Sequence, residues 1–102
     1  MEVIINDKEL IKLYEKGESR KLRLPRDVID KFFATVQKIE SATTIYDLWN
    51  DKGLNFEKLK GSKSRYSMRL SGKYRLEAEV EWTDNKNTIG IFSIEEISNH
   101  YS

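Results

Sequence analysis

The hydrophobic pattern in the first half of the chain has the period of helices. Residues 2–5 (EVII) are mostly β-branched and predict a short strand. A helix is expected next, with Asn6 as its N-cap, Glu9 as the capping-box partner and Gly17 at its end. A second helix is predicted after Pro25, because apolar residues recur there at the i, i+3, i+4, i+7 spacing: Val28, Ile29, Phe32, Phe33, Val36 and Ile39.

The second half of the chain has the period of strands. A short third helix is expected around residues 44–49, and after Gly53 the period changes from about 3.6 to 2. Residues 74–82 alternate between apolar and charged side chains, and residues 88–97 are rich in Ile and Phe. Helices followed by an antiparallel meander with one polar face indicate an α+β fold. We therefore expect one domain over residues 1–102, with an N-terminal strand and two helices packed on a twisted, mainly antiparallel sheet.

The strands predicted at residues 65–70 and 74–82 are expected to form a hairpin. One register of this hairpin keeps the apolar side chains of both strands on the same face. A three-residue loop over 71–73 pairs Leu70 with Tyr74, so that apolar side chains share a face. The same register places Arg69 opposite Arg75. Two facing arginines repel each other, which favours an anionic ligand over the pair.

Charge along the chain is strongly segregated. The whole chain carries a net charge of +1, but residues 58–75 (KLKGSKSRYSMRLSGKYR, hereafter the basic segment) contain seven Lys or Arg and no Asp or Glu. The remainder has 11 basic residues against 17 acidic ones. A nucleic-acid surface is one interpretation. A solvated sheet face and a contact for an acidic protein partner are the alternatives.

The composition narrows the possible classes of protein. The chain has no Cys and one His, so neither a disulfide framework nor a thiolate metal site is expected, and one His does not make a zinc site. No cofactor is predicted. The sequence has no apolar run of about 18 residues, and residues 1–10 lack the features of a signal peptide. We expect a cytoplasmic protein that does not bind membranes.

Two stretches of the sequence resemble a known family. Leu59-Lys60-Gly61 and RYSMRLSGKYRL at residues 65–76 are similar to the core of HigB-type toxins in the RelE/ParE superfamily. ISNHY at residues 97–101 resembles the strand and tail that close those proteins. The resemblance covers residues 54–101 and implies a RelE/ParE-like fold.

The resemblance implies a toxin of a type II toxin–antitoxin system. Such toxins enter the ribosomal A site and cut mRNA there, and their partner is a HigA-like antitoxin with a helix-turn-helix domain. It also leaves two alternatives. One is a ParE-like inhibitor that binds DNA gyrase and cuts nothing, since the same fold serves both functions. The other is a non-catalytic RNA-binding module.

The resemblance also implies roles for particular residues. Lys60 and Arg75 would stabilise the phosphate and its transition state. Either His100 or Tyr101 would be the general acid, and Glu57, where relatives often have His, is a possible base. The expected contacts to mRNA or ribosomal RNA are basic: Lys58, Lys63, Arg65, Arg69 and Lys73.

Overall fold

The computed structural model describes residues 1–99, which form three helices and five strands. The elements are β1 (Glu2–Ile5), α1 (Lys8–Lys16), α2 (Arg26–Ser41), α3 (Ile45–Trp49), a 3₁₀ turn (Lys52–Leu54), β2 (Glu57–Lys58), β3 (Arg65–Arg69), β4 (Tyr74–Trp82) and β5 (Gly90–Asn99). The strands form one sheet in the order β1-β5-β4-β3-β2. Only the β1–β5 pair is parallel. The predicted α+β fold is confirmed. Within residues 1–99, no helix has the length and apolarity needed to cross a membrane.

The helices cover one face of the sheet. The apolar stripe of α2 is buried as predicted except for Phe33, which is only partly buried against the core, and Phe32 and Ile39 are fully inaccessible to solvent. The buried side chains of α2 form one core cluster with the inward-facing side chains of β3, β4 and β5, among them Met68, Leu76 and Phe92. The opposite face of the sheet, hereafter the open face, carries the polar side chains of the strands, and no helix within residues 1–99 covers it.

The N-cap of α1 is Asp7, so the prediction of Asn6 was wrong. The Asp7 carboxylate accepts hydrogen bonds from the backbone N–H groups of Glu9 and Leu10, at 3.1 and 3.0 Å. Asn6 still belongs to the strand ladder, because its N–H donates to the Ile94 carbonyl at 3.0 Å. The helix therefore begins one residue later. Gly17 ends α1 in the left-handed conformation, as predicted.

The central hairpin has the predicted register. The Leu70 N–H donates to the Tyr74 carbonyl at 3.1 Å, which closes the three-residue loop. Arg69 lies directly opposite Arg75. Gly72, in the middle of the loop, has a φ of 55°, a left-handed conformation that glycine adopts without steric cost.

A β-bulge interrupts the pairing of β4 with β5. Ile97 lies opposite Leu76 and Glu96 opposite Glu77, but the next pair is Ile94 with Ala78, so Glu95 is the extra residue. The bulge changes which face the following side chains occupy. Ile94 and Ile97 both point into the core, although they are three residues apart, and Glu96 points to the open face.

Gly90 begins β5 at a position with no room for a side chain. A Cβ there would lie 2.8 Å from Val80 Cγ1 and 3.0 Å from the Glu81 carbonyl oxygen. We expect Gly90→Ala to lower the free energy of unfolding by about 1–3 kcal/mol, the cost of overpacking. Urea unfolding measures this. Gly53→Ala is the matched control, since its nearest atom would be Asp51 Oδ1 at 3.4 Å. Equal stability of the two variants would show that β5 shifts to accommodate the methyl group.

Candidate functional site

The open face of the sheet is divided into two zones of charge. One cross-strand row contains Arg69 on β3, Arg75 on β4 and Ser98 on β5. The neighbouring row runs from Glu57 on β2 through Ser67 on β3 to Glu77 and Glu96. The alternation of the strands places all these residues on one face. An arginine pair therefore lies beside a row that carries carboxylates.

A groove of about 390 Å³ lies where the two zones meet, at the β2 edge of the sheet. Three of the predicted catalytic residues, Glu57, Lys60 and Arg75, line it together. The rest of its wall comes from Lys58, Leu59 and Ser67. We call this the Arg75 groove. Ser67 was not among the predicted site residues, although the strand alternation already placed it on the arginine face.

The guanidinium of Arg75 has only backbone partners in the described part of the chain. Its Nη1 donates to the carbonyls of Gly72 at 3.4 Å and Tyr74 at 3.3 Å, both long contacts. Within residues 1–99, no carboxylate forms an ion pair with Arg75 or with Arg69. Two adjacent cations without a counter-ion are suited to binding an anion, and the planar fork of arginine matches the geometry of phosphate.

Arg65, which was predicted to contact RNA, forms ion pairs within the protein. Its Nε lies 3.1 Å from Glu77 Oε1, its Nη1 3.4 Å from Glu79 and its Nη2 3.3 Å from Glu96. Burial alone would lower the pKa of Arg65, but the hydrogen bonds and charges of these carboxylates raise it above its ordinary value. The guanidinium is thus held by carboxylates within the protein, and its contact with RNA stays a prediction.

Glu77 is buried, although the alternation of β4 predicted that it would face solvent. It retains only 6% of its accessible surface. The register explains why, because Glu77 lies between Ser67 on one side and Glu96 on the other, and the Arg65 guanidinium packs against its carboxylate. Burial of a carboxylate is costly unless it is paired, so Arg65 and Glu77 depend on each other.

The other predicted residues lie around the Arg75 groove or outside the described residues. Lys63 is exposed in the connection from β2 to β3. Lys73 is exposed at the hairpin tip, where it borders a second depression together with Pro25 and Asp27. His100 and Tyr101 lie outside the described residues. The sequence-based roles of these two as general acid are neither supported nor opposed by the structure.

A larger depression, of about 580 Å³, lies between α2 and α3. Its charged groups are already occupied. The Lys38 ammonium lies 2.8 Å from Asp51, and the hydrogen bond with Lys38 lowers the pKa of that carboxyl. Asp47 accepts hydrogen bonds from the backbone N–H groups of Thr43 and Thr44, at 2.8 and 3.1 Å. These groups stabilise the start of α3, and the Arg75 groove remains the better candidate for chemistry.

The comparison with known protein families assigns the chain. The model of the HigB-like toxin family, described as RelE-like toxins of type II toxin–antitoxin systems, matches residues 4–92. The match includes the last two residues of β1 and all three helices, which the sequence motifs alone did not cover, together with the Arg75 groove. A search of curated proteins found no match. With most of its length matched, the chain belongs to the HigB-like family of RelE-like toxins.

Proposed function

We propose that this toxin is a ribosome-dependent endoribonuclease that cuts mRNA in the A site and so stops translation. The observation that carries the proposal is the Arg75 groove, in which Lys60, Arg75 and Glu57 meet beside an arginine pair that has no carboxylate partner among residues 1–99. The family supports a toxin of this kind, and the groove supports the reaction class. Ribosomes are the target, so we place the protein in the cytoplasm.

The proposed reaction is an internal transesterification of RNA. The 2′-hydroxyl loses its proton to a base and its oxygen attacks the adjacent phosphorus. The bond from phosphorus to the 5′-oxygen then breaks, and a general acid protonates that oxygen. The products are a 2′,3′-cyclic phosphate and a 5′-hydroxyl. The protein must therefore supply a base, an acid and positive charge for the phosphorane.

The groove residues match two of these needs. Lys60 and Arg75 would stabilise the extra negative charge that develops on the phosphate, so we propose that no metal ion is needed for this step. Glu57 is the carboxylate that lines the groove and would act as the base. The described chain ends beside the arginine pair, with Ser98 opposite Arg75. His100 and Tyr101 come next in the sequence, and we propose that one of them is the general acid.

The basic residues around the groove would hold the RNA. Lys58 lines the groove, Arg69 lies next to Arg75 on the open face, and Lys63 and Lys73 are exposed at either end of the hairpin. A type II toxin has an antitoxin partner, and we propose that this one carries a HigA-like helix-turn-helix domain. Inhibition of DNA gyrase is the second candidate, because it is found on the same fold, but it gives no reason for a carboxylate and three cations to share a groove.

Cleavage of a reporter mRNA in growing bacteria tests the proposal. After brief induction of the wild-type toxin, primer extension is expected to show cuts at in-frame positions of the coding region. A matched reporter whose start codon has been removed should show none, because it is not translated. Growth arrest with intact mRNA would contradict the proposal and point to gyrase or another bound target. Cuts in both reporters would show a nuclease that does not need the ribosome.

A further inference from the structure

The loop of the central hairpin is attached to α2 by a side-chain hydrogen bond. The Ser71 hydroxyl donates to Asp27 Oδ2 at 2.6 Å. The other carboxylate oxygen, Asp27 Oδ1, accepts from the Val28 N–H at 3.0 Å. Val28 belongs to the buried stripe of α2, so this carboxylate connects the loop to a helix that the core holds in place. We call the hydrogen bond between Ser71 and Asp27 the loop tether.

The loop is not closely packed against the start of α2. A depression of about 500 Å³ lies between them, with Gly72 and Lys73 of the loop on its wall opposite Pro25 and Val28. Gly72 and Lys73 are both exposed to solvent. A segment with few buried contacts opens locally at low cost in free energy. The loop therefore depends on the tether for a fixed position relative to α2.

The same loop supplies the hydrogen-bond partners of the Arg75 guanidinium. Both acceptors are backbone carbonyls, of Gly72 at 3.4 Å and of Tyr74 at 3.3 Å, and bonds of this length hold a side chain only weakly. Arg69 lies directly opposite and repels the guanidinium. The Tyr74 N–H donates to the Ser71 carbonyl at 2.9 Å, so these two residues move together. The direction of the guanidinium consequently depends on where the loop backbone lies.

We infer that Ser71 and Asp27 are positioning residues for RNA cleavage, because the loop tether fixes the carbonyls that direct Arg75 towards the scissile phosphate. This inference rests on the proposed function and adds two residues that do not line the Arg75 groove. Neither residue touches the RNA, and both act through Arg75. A displacement of about 1 Å in a group that stabilises the transition state can cost about 100-fold in rate. A tether that merely stabilised the hairpin would have no such effect on a folded toxin.

Single-turnover cleavage on ribosomes programmed with a defined mRNA tests the inference, with the toxin in excess. Ser71→Ala removes only the hydroxyl and is expected to lower the rate at saturating toxin about tenfold. The toxin concentration that gives half of this rate should stay within about twofold of wild type, because binding is not affected. Ser71→Thr keeps a hydroxyl and should restore most of the rate. Ser41→Ala, at an exposed position at the end of α2, is the matched control and should cut like wild type.

Two further measurements separate positioning from stability. In the Arg75→Ala background, Ser71→Ala should change the remaining rate by less than about twofold, because no guanidinium is left to direct. Asp27→Ala breaks the tether from the other side, and the Ser71→Ala/Asp27→Ala double variant should be no slower than the slower of the two single variants. In the free toxin, ¹⁵N relaxation of the Arg75 Nε–Hε group should show greater motion in Ser71→Ala than in wild type or Ser41→Ala. This last reading does not require activity.

Four results would overturn the inference. Equal cleavage rates for Ser71→Ala and Ser41→Ala would show that cleavage does not depend on the tether. A tenfold loss that persists in the Arg75→Ala background would show that Ser71 acts without Arg75. Unchanged motion of the Arg75 side chain in Ser71→Ala would show that the tether does not hold it. A wild-type toxin that leaves the mRNA intact would defeat the proposed function and this inference together, and the wild-type measurement alone reveals that case. Thermal unfolding of each variant checks that the domain stays folded.

Discussion

Arg75→Ala is expected to abolish mRNA cleavage and growth arrest while leaving the domain folded. The guanidinium lines the groove and has no carboxylate partner in residues 1–99, so its charge is available to a phosphorane. Removing one such stabilising group typically lowers kcat by about 100- to 1,000-fold. The same change removes a like charge facing Arg69, so stability should stay within about 0.5 kcal/mol of wild type.

The measurement is single-turnover cleavage on ribosomes programmed with a defined mRNA, with circular dichroism as the test of folding. Arg75→Lys keeps the charge but not the planar fork, so it should retain part of the activity. Lys86→Ala, at an exposed position in the turn after β4, serves as the neutral control. Near wild-type cleavage by Arg75→Ala would remove the groove from the mechanism. An unfolded variant would instead make Arg75 a structural residue.

Arg65→Ala is expected to lower stability rather than to act directly on RNA binding. The substitution leaves the buried Glu77 carboxylate without its 3.1 Å partner, and Glu79 and Glu96 also lose a cation. Breaking a buried ion pair from one side costs about 3–5 kcal/mol. The Arg65 side chain is 26% exposed, so part of that cost is screened and about 2–3 kcal/mol is expected.

Urea unfolding of a small set of variants tests this assignment. Arg69→Ala, on the same strand and the same face, is the matched control and should lose almost no stability. The Arg65→Ala/Glu77→Gln double variant should recover part of the loss, because it no longer buries a carboxylate that has lost its arginine. If Arg65→Ala is as stable as Arg69→Ala but binds ribosomes more weakly, Arg65 belongs to the RNA surface after all.

Much of the fold could be predicted because the local signals in this sequence agree with one another. The sequence predicted three features that the structure contains: the apolar stripe of α2, the alternation of β4 and the three-residue hairpin loop. Each of them follows from a pattern that fits only one local structure. The register inferred from the sequence also places Arg69 opposite Arg75, as in the structure. The two-residue strand β2 was not predicted, because its pairing with β3 depends on a partner that is distant in sequence.

The site was harder to predict where it depends on contacts between distant strands. The basic segment of the sequence predicted that Arg65 contacts RNA, but its ion pairs could not be predicted, because its third carboxylate comes from β5, 31 residues away.

The bulge at Glu95 also determines how the gene can change. An in-frame deletion of one codon at 95 or 96 would remove the extra residue, so β5 would pair with β4 as a regular ladder. Ile94 and Ile97 would then be two residues apart and would still share the core face, and the glutamate left between them would lie on the same face as Arg65. We therefore expect this part of β5 to tolerate the loss of one codon at 95 or 96, because the bulge absorbs the change in length.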